Sequence, residues 1–159
     1  WGATLASALG NLQRDTLDQI ALPFGVVADQ IGAMLALATG GREAPMTRHN
    51  ALLLERLTRA IEEQSCDPAT EPASIAAALG ISKRYLHLVL AQGGASFGTI
   101  LIEARLMRAR ALLQDPRFAR TSIAEIAWRS GFSNPSHFAR RFRRRFGAAP
   151  ADFRRTLRS

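Results

Sequence analysis

The chain has 159 residues, 47% of them hydrophobic, a net charge of +8 and a pI of about 11.4. That length suits one ordinary domain, or a small domain with an appendage, and the apolar content excludes wholesale disorder. The charge points to a polyanionic partner, and no apolar run approaches the roughly 18 residues that a membrane-spanning helix needs.

The charge is unevenly placed. Residues 1–103 carry 7 Lys/Arg against 10 Asp/Glu, whereas 104–159 carry 14 against 3. Such asymmetry favours nucleic acid over a merely soluble surface. Cys66 is the sole cysteine, which leaves no disulfide framework or cysteine-rich zinc site and fits a reducing cytosol. The chain opens Trp1-Gly2-Ala3, with neither a basic leader nor a methionine; it reads as the C-terminal piece of a longer protein or as a processed one.

Residues 1–40 read as helical. Leu5, Leu9 and Leu12 recur at helical spacing, and after Pro23 the residues Val26, Val27, Ile31, Met34, Leu35 and Leu37 form a second apolar helix ended by Gly40-Gly41. This pair packs on the chain's own core, forms a dimerisation or docking surface belonging to an upstream domain, or is partly disordered once cut from that neighbour. Gly40 to Pro45 is the best linker candidate, dividing a helical segment, 1–45, from a domain, 46–159. A third helix is expected from near Thr47 to Gln64, with Leu52, Leu53, Leu57, Ala60 and Ile61 on its buried side and Asp67-Pro68 as its break.

Residues 70–91 read as a helix-turn-helix. Ile75, Ala76 and Leu79 precede Gly80, and Ile81, Leu86 and Val89 follow it. Small Ala76 allows close approach, Gly80 permits the turn, and Ser82 caps the second helix. Residues 97–113 read as one helix with Ile100, Leu101, Leu106, Ala109 and Leu113 facing inward. At 1.5 Å per residue it would be a strut of about 25 Å.

A second helix-turn-helix is expected at 122–146. Ser122 and Glu125 form a capping-box pattern, Ile123, Ile126 and Ala127 give an apolar face, and Gly131 ends the helix. Ser133 is the expected cap of the next helix, with Pro135 in its first turn. That helix carries Phe138, Phe142 and Phe146 on one side and Arg140, Arg141, Arg143, Arg144 and Arg145 on the others. The two units are an internal repeat. Ile75-Ala76 and Gly80 match Ile126-Ala127 and Gly131 at an offset of 51, and Leu86 and Leu90 match Phe138 and Phe142 at 52, so the second turn is one residue longer.

Phe132, Phe138, Phe142, Phe146 and Phe153 are expected in the core, and Met34, Met46 and Met107 as packing residues. Trp128 fits either a core or an interface. Arg143 or Arg145 fits a surface charge or salt-bridge partner as well as a DNA contact, and Asn134 and Ser136 fit simple capping roles as well as base reading. Enzymatic chemistry finds no support. His49, His87 and His137 lack the spacing of a helical zinc pair, Cys66 has no neighbouring cation in sequence, and no phosphate loop, nucleophile elbow or paired carboxylates occur. No metal or cofactor is expected.

Residues from about 48 to 158 resemble the DNA-binding domain of the AraC/XylS family of bacterial transcription regulators. The resemblance rests on Ile126-Ala127, Gly131-Phe132-Ser133, Ser136, Phe138, Arg140, Phe142, Gly147, Pro150 and Phe153-Arg154. The first unit matches less tightly, because the loop Gln92-Gly93-Gly94-Ala95 is one residue shorter than usual and lacks its charges. Residues 1–40 resemble the helices that follow the sensor barrel in such regulators.

The resemblance implies an all-α, non-enzymatic, sequence-specific regulator whose two helix-turn-helix units enter successive major grooves of double-stranded DNA. It implies base contacts from Arg84, His87 and Leu88 in the first unit and from Asn134, Pro135, Ser136 and Arg140 in the second. Lys83, His137, Arg141 and Arg144 would lie near phosphate. The residue types suit those roles, since Arg bonds a guanine edge bidentately, Asn an adenine, and Ser either, while Leu88 and Pro135 can meet thymine methyls. The family further implies contact with RNA polymerase, homodimerisation through residues 1–40, a cytoplasmic, nucleoid-associated location, and activation, with repression as the runner-up.

Overall fold

Helix periodicity and turn glycines account for the order of the described elements. The computed structural model describes Met46 and residues 48–157; the helices expected within 1–40 and the linker at 40–45 lie outside the described residues. Among the described residues there are seven α-helices, one 3-10 turn and no strand, in line with the all-α expectation. The helices are α1 (Arg48–Glu63), α2 (Pro72–Ala78), α3 (Lys83–Gln92), α4 (Phe97–Gln114), α5 (Ile123–Arg129), α6 (Pro135–Phe146) and α7 (Pro150–Thr156), with the 3-10 turn at Pro116–Phe118.

α1 forms because Leu53, Leu57 and Ile61, four residues apart, make one buried stripe. Leu52, expected on that side, is instead 57% exposed. One residue is about 100° of helix rotation, enough to turn it off the stripe. Met107, expected to pack, is 45% exposed on α4, and Trp128 stands half exposed on α5.

The repeat is geometric as well as sequential. α2 and α5 are both seven residues long and start 51 residues apart, whereas α3 and α6 start 52 apart. Each first helix ends alike. Gly80 and Gly131 take φ of 68° and 84°, and the amides of Ile81 and Phe132 reach back to the carbonyls of Ala76 and Ala127 at 3.0 Å. These are the reverse-turn bonds that close a helix through a left-handed residue.

The caps need two corrections. Ser82 and Ser122 cap as expected, accepting from the amides of Tyr85 and Glu125. Glu125 does not complete a reciprocal box with Ser122; its carboxylate accepts from Arg129 Nε at 2.7 Å, one helical turn on. Ser133 does not cap α6. Asn134 does, its Oδ1 accepting from the His137 amide at 2.9 Å. The extra residue of the second turn moves the helix start to Pro135, so the cap position falls on Asn134.

α4 is the shared strut. Its 18 residues rise about 27 Å, and it packs against α1 on one side and α5, α6 and α7 on the other. Leu106, Ala109 and Leu113 of α4 join Ile126, Ala127, Phe132, Phe138 and Phe142 in one buried cluster, with Phe146 and Phe153 packed on it. The Phe142 ring meets those of Phe138 and Phe153 edge-on, each at 5.5 Å. α7 brings Phe153 there, which makes the short C-terminal helix part of the second unit. In the first unit Ile75, Leu86, Val89 and Leu90 are fully buried, and Tyr85 Oη donates to Asn50 Oδ1 at 2.7 Å, fastening α3 to α1.

Candidate nucleic-acid interface

A helix fastened through one stripe presents the opposite stripe to whatever approaches. In α3 the buried residues are Tyr85, Leu86, Val89 and Leu90. Arg84, His87 and Leu88, at i, i+3 and i+4, share the outer side. Arg84 and His87 are exposed, as is Lys83 in the first turn; Leu88 is half-buried, so only part of its side chain is open. Three of the four residues expected to face DNA thus stand free of the core.

α6 repeats this with two stripes. Phe138 and Phe142 are buried. Ser136 and Arg140 project opposite them and are exposed, and Arg143, seven residues beyond Ser136, continues their line. Sequence reasoning left Arg143 undecided, although its i, i+3 and i+7 spacing from Arg140 and Ser136 was the available signal. Beside that line run His137, Arg141 and Arg144, also at i, i+4 and i+7. Ser136 and Arg140 of the expected base set, and the expected backbone set, therefore form two adjacent stripes on one helix. At its start, Pro135 is half-buried at the first helical position, and Asn134 is exposed but holds the His137 amide through Oδ1. A bidentate adenine contact from Asn134 would have to share that oxygen.

The flanking stripe carries its own electrostatics. Arg141 Nε donates to His137 Nε2 at 3.2 Å, which requires that nitrogen to be unprotonated. Partial burial first, then the Arg141 and Arg140 charges, hold the His137 pKa below its ordinary 6.5. Arg141, Arg144 and Arg145 also line an open cleft of about 420 Å³ against Ser96, Thr99 and Glu103 at the start of α4.

Not every arginine faces outward for a ligand. Arg145 pairs with Glu103 of α4 at 2.8 Å, the salt-bridge alternative for that residue. Arg129 pairs with Glu125 and lies over the Phe118 ring. Arg154 donates to the Thr121 carbonyl at 2.6 Å, tying α7 to the loop before α5. Arg105 Nε and Nη2 donate to the Ser65 and Asp67 carbonyls, both at 2.8 Å. Cys66 therefore does have a cation nearby, Arg105, brought from 39 residues away by the fold. Among the described residues no group of three His, Cys, Asp or Glu is placed to hold a metal, and no single helix is long and apolar enough to cross a membrane.

Comparison with known proteins agrees with this arrangement. A family model described as a helix-turn-helix domain matches residues 75–156. The regulator GlxA of Rhizobium meliloti is 38% identical over 112 residues, 69% of this chain and 32% of its own length. The transcriptional activator NphR of a Rhodococcus species is 35% identical over 67% of this chain and 31% of its own length. The chain thus spans about a third of the length of the curated relatives it matches. Among solved structures, a probable AraC family regulator from Rhodopseudomonas palustris superposes with a TM-score of 0.58 at 29% identity, covering 67% of this chain and 97% of its own. A DNA-binding transcriptional dual regulator from Escherichia coli K-12 gives 0.59 at 26% identity, covering 65% and 89%. From the matched residues and the tandem units together, the chain belongs to the AraC family of helix-turn-helix transcription regulators.

Proposed function

We propose that this chain reads DNA as a sequence-specific transcription regulator, placing α3 and α6 in successive major grooves on one face of the duplex. The observation that carries the reading is the repeated geometry. Two helices, each capped and each held through one apolar stripe, α3 against α1 and α2 and α6 against α5 and the strut α4, offer polar and basic residues on the opposite stripe. Arg84 and His87 of α3, and Ser136, Arg140 and Arg143 of α6, are the base-reading candidates. Lys83, His137, Arg141 and Arg144 are the phosphate candidates. Leu88 and Pro135 offer smaller apolar surfaces to thymine methyls, and Asn134 serves the helix first. Arginine and serine on an exposed helix face suit major-groove edges, and flanking cations suit phosphate.

Activation is the favoured polarity, because several relatives are named as transcriptional activators. Contact with RNA polymerase follows from that reading, as does a cytoplasmic location with the nucleoid. Homodimerisation would run through residues 1–40. The domain boundary near residue 45 is part of the same proposal.

The test is charge reversal. Arg84→Glu and Arg140→Glu, each made alone in the 159-residue chain, are expected to lower affinity for a selected duplex by at least about tenfold, the usual scale for losing one good base contact. Each should leave the helical circular dichroism unchanged. Unaltered DNA binding by both variants would contradict the reading.

A further inference from the structure

Three parts of the chain distant in sequence meet at one point. They are the turn after α1 (Ser65 to Asp67), the middle of α4 (Arg105) and the turn between α5 and α6 (Gly131). The Arg105 guanidinium bonds the Ser65 and Asp67 carbonyls at 2.8 Å each. The Asp67 carbonyl also accepts from the Thr70 amide, and the single Thr70 hydroxyl proton is shared between the Gln64 carbonyl at 2.6 Å and the Asp67 carbonyl at 2.9 Å. Ser65 and Thr70 are buried. The turn is therefore a firm block, satisfied by its own bonds, onto which α4 is pinned.

Gly131 closes the junction from the other unit. A β-carbon there would stand 2.2 Å from the Ser65 carbonyl oxygen and 2.8 Å from Arg105 Nε. Neither neighbour is a flexible side-chain tip: one is backbone, the other a guanidinium held by two bonds. Gly131 thus serves twice, through its φ of 84° and through the close approach that its missing side chain allows. The equivalent Gly80 meets nothing within 4 Å, so the close approach belongs to the second unit alone.

This contact adds to the packing of α4 on α1 a direct attachment between the two units. The first reading helix joins α4 through Gly93-Gly94-Ala95, a turn closed by the Ala95 amide on the Leu90 carbonyl at 3.0 Å. With a second attachment, the two units form a closed mechanical loop. We propose that the junction of Arg105, Gly131 and the Ser65–Asp67 turn fixes the distance and rotation between the two reading helices, and so determines which spacing of DNA half-sites the protein accepts. The inference rests on the tandem DNA-reading function proposed above.

The test is a set of duplexes carrying the selected half-sites, with one base pair removed from or added to the spacer. Each step moves one half-site by about 3.4 Å and about 35°. The unaltered chain is expected to lose at least about tenfold in affinity per step, the scale of one mismatched base pair. Arg105→Met keeps the bulk and loses both bonds; it should flatten that penalty to less than about threefold while selecting the same half-site sequences. Gly131→Ala should do likewise, and Arg105→Lys should fall between; should the alanine variant not fold, the two Arg105 variants carry the test. A purely stabilising role would lower affinity by the same factor at every spacing, and that result overturns the proposal. An unchanged penalty in Arg105→Met also overturns it. Failure of the unaltered chain to bind any paired site removes the tandem reading itself, a distinguishable failure that takes the proposal with it.

Discussion

At the scale of single residues, the two stripes of α6 make different predictions. Arg140→Ala should cost about 1–3 kcal/mol on the preferred duplex and relax selection at one base position, as expected for a guanine contact. Arg144→Ala should weaken all sequences alike and reduce the slope of log affinity against log salt by about 1. Binding titrations across a salt series separate the two. His137 adds a pH term. Its folded pKa lies below 6.5, so the unfolded chain takes up its proton first as pH falls. The corresponding stability is intact above about 6.5 and is lost as pH drops through the folded value. Denaturant midpoints from pH 7.5 to 5 should therefore fall less in His137→Gln than in the unaltered chain; identical slopes would contradict the Arg141–His137 arrangement.

At the scale of elements, the caps are the sharpest case. Asn134→Ala should destabilise by about 0.5–2 kcal/mol, the usual cost of losing an N-cap. Ser133→Ala should change stability by less than about 0.5 kcal/mol, as for an uninvolved surface site. Equilibrium unfolding of both variants checks this, and the reverse order would restore Ser133 as the cap. The contrast marks what was legible in the sequence. Periodicity and glycines placed the helices of both units, because a stripe such as Phe138 and Phe142 has only one way to be buried. The one-residue difference between the repeats was also visible, at offsets 51 and 52. Which residue caps α6 was not, since Ser133 and Asn134 are both good caps and helix starts are decided by packing that the local sequence does not contain. Leu52 and Met107 failed for a related reason: apolar character does not say which of two adjacent sides a helix turns inward.

At the scale of the molecule, long-range contacts were the hidden part. Nothing local ties Arg105 to Ser65, Arg145 to Glu103 or Arg154 to Thr121, yet each depends on the strut bringing separate elements together. The arginine excess consequently divides. Some cations hold the two units in shape, and those on the outer stripes of α3 and α6 are the ones proposed to meet DNA. The core of the second unit should be the most sensitive part of that frame. Phe142 is fully buried among three rings, Phe138 and Phe153 met edge-on and Phe146 tilted, and α4 aliphatics. Phe142→Ala should cost about 3–5 kcal/mol in denaturant unfolding, and a loss below about 1 kcal/mol would mean the cluster is not the core drawn here.

Whether both helices read DNA together is decided by selection of bound sequences from a random duplex pool. At about 150 mM salt, phosphate contacts alone bind weakly, so what survives reports base reading. Tandem reading by α3 and α6 yields an asymmetric motif of two conserved blocks with centres about 10 base pairs apart, one helical turn of DNA. Recovery of a single block, or of no motif at all, would contradict it.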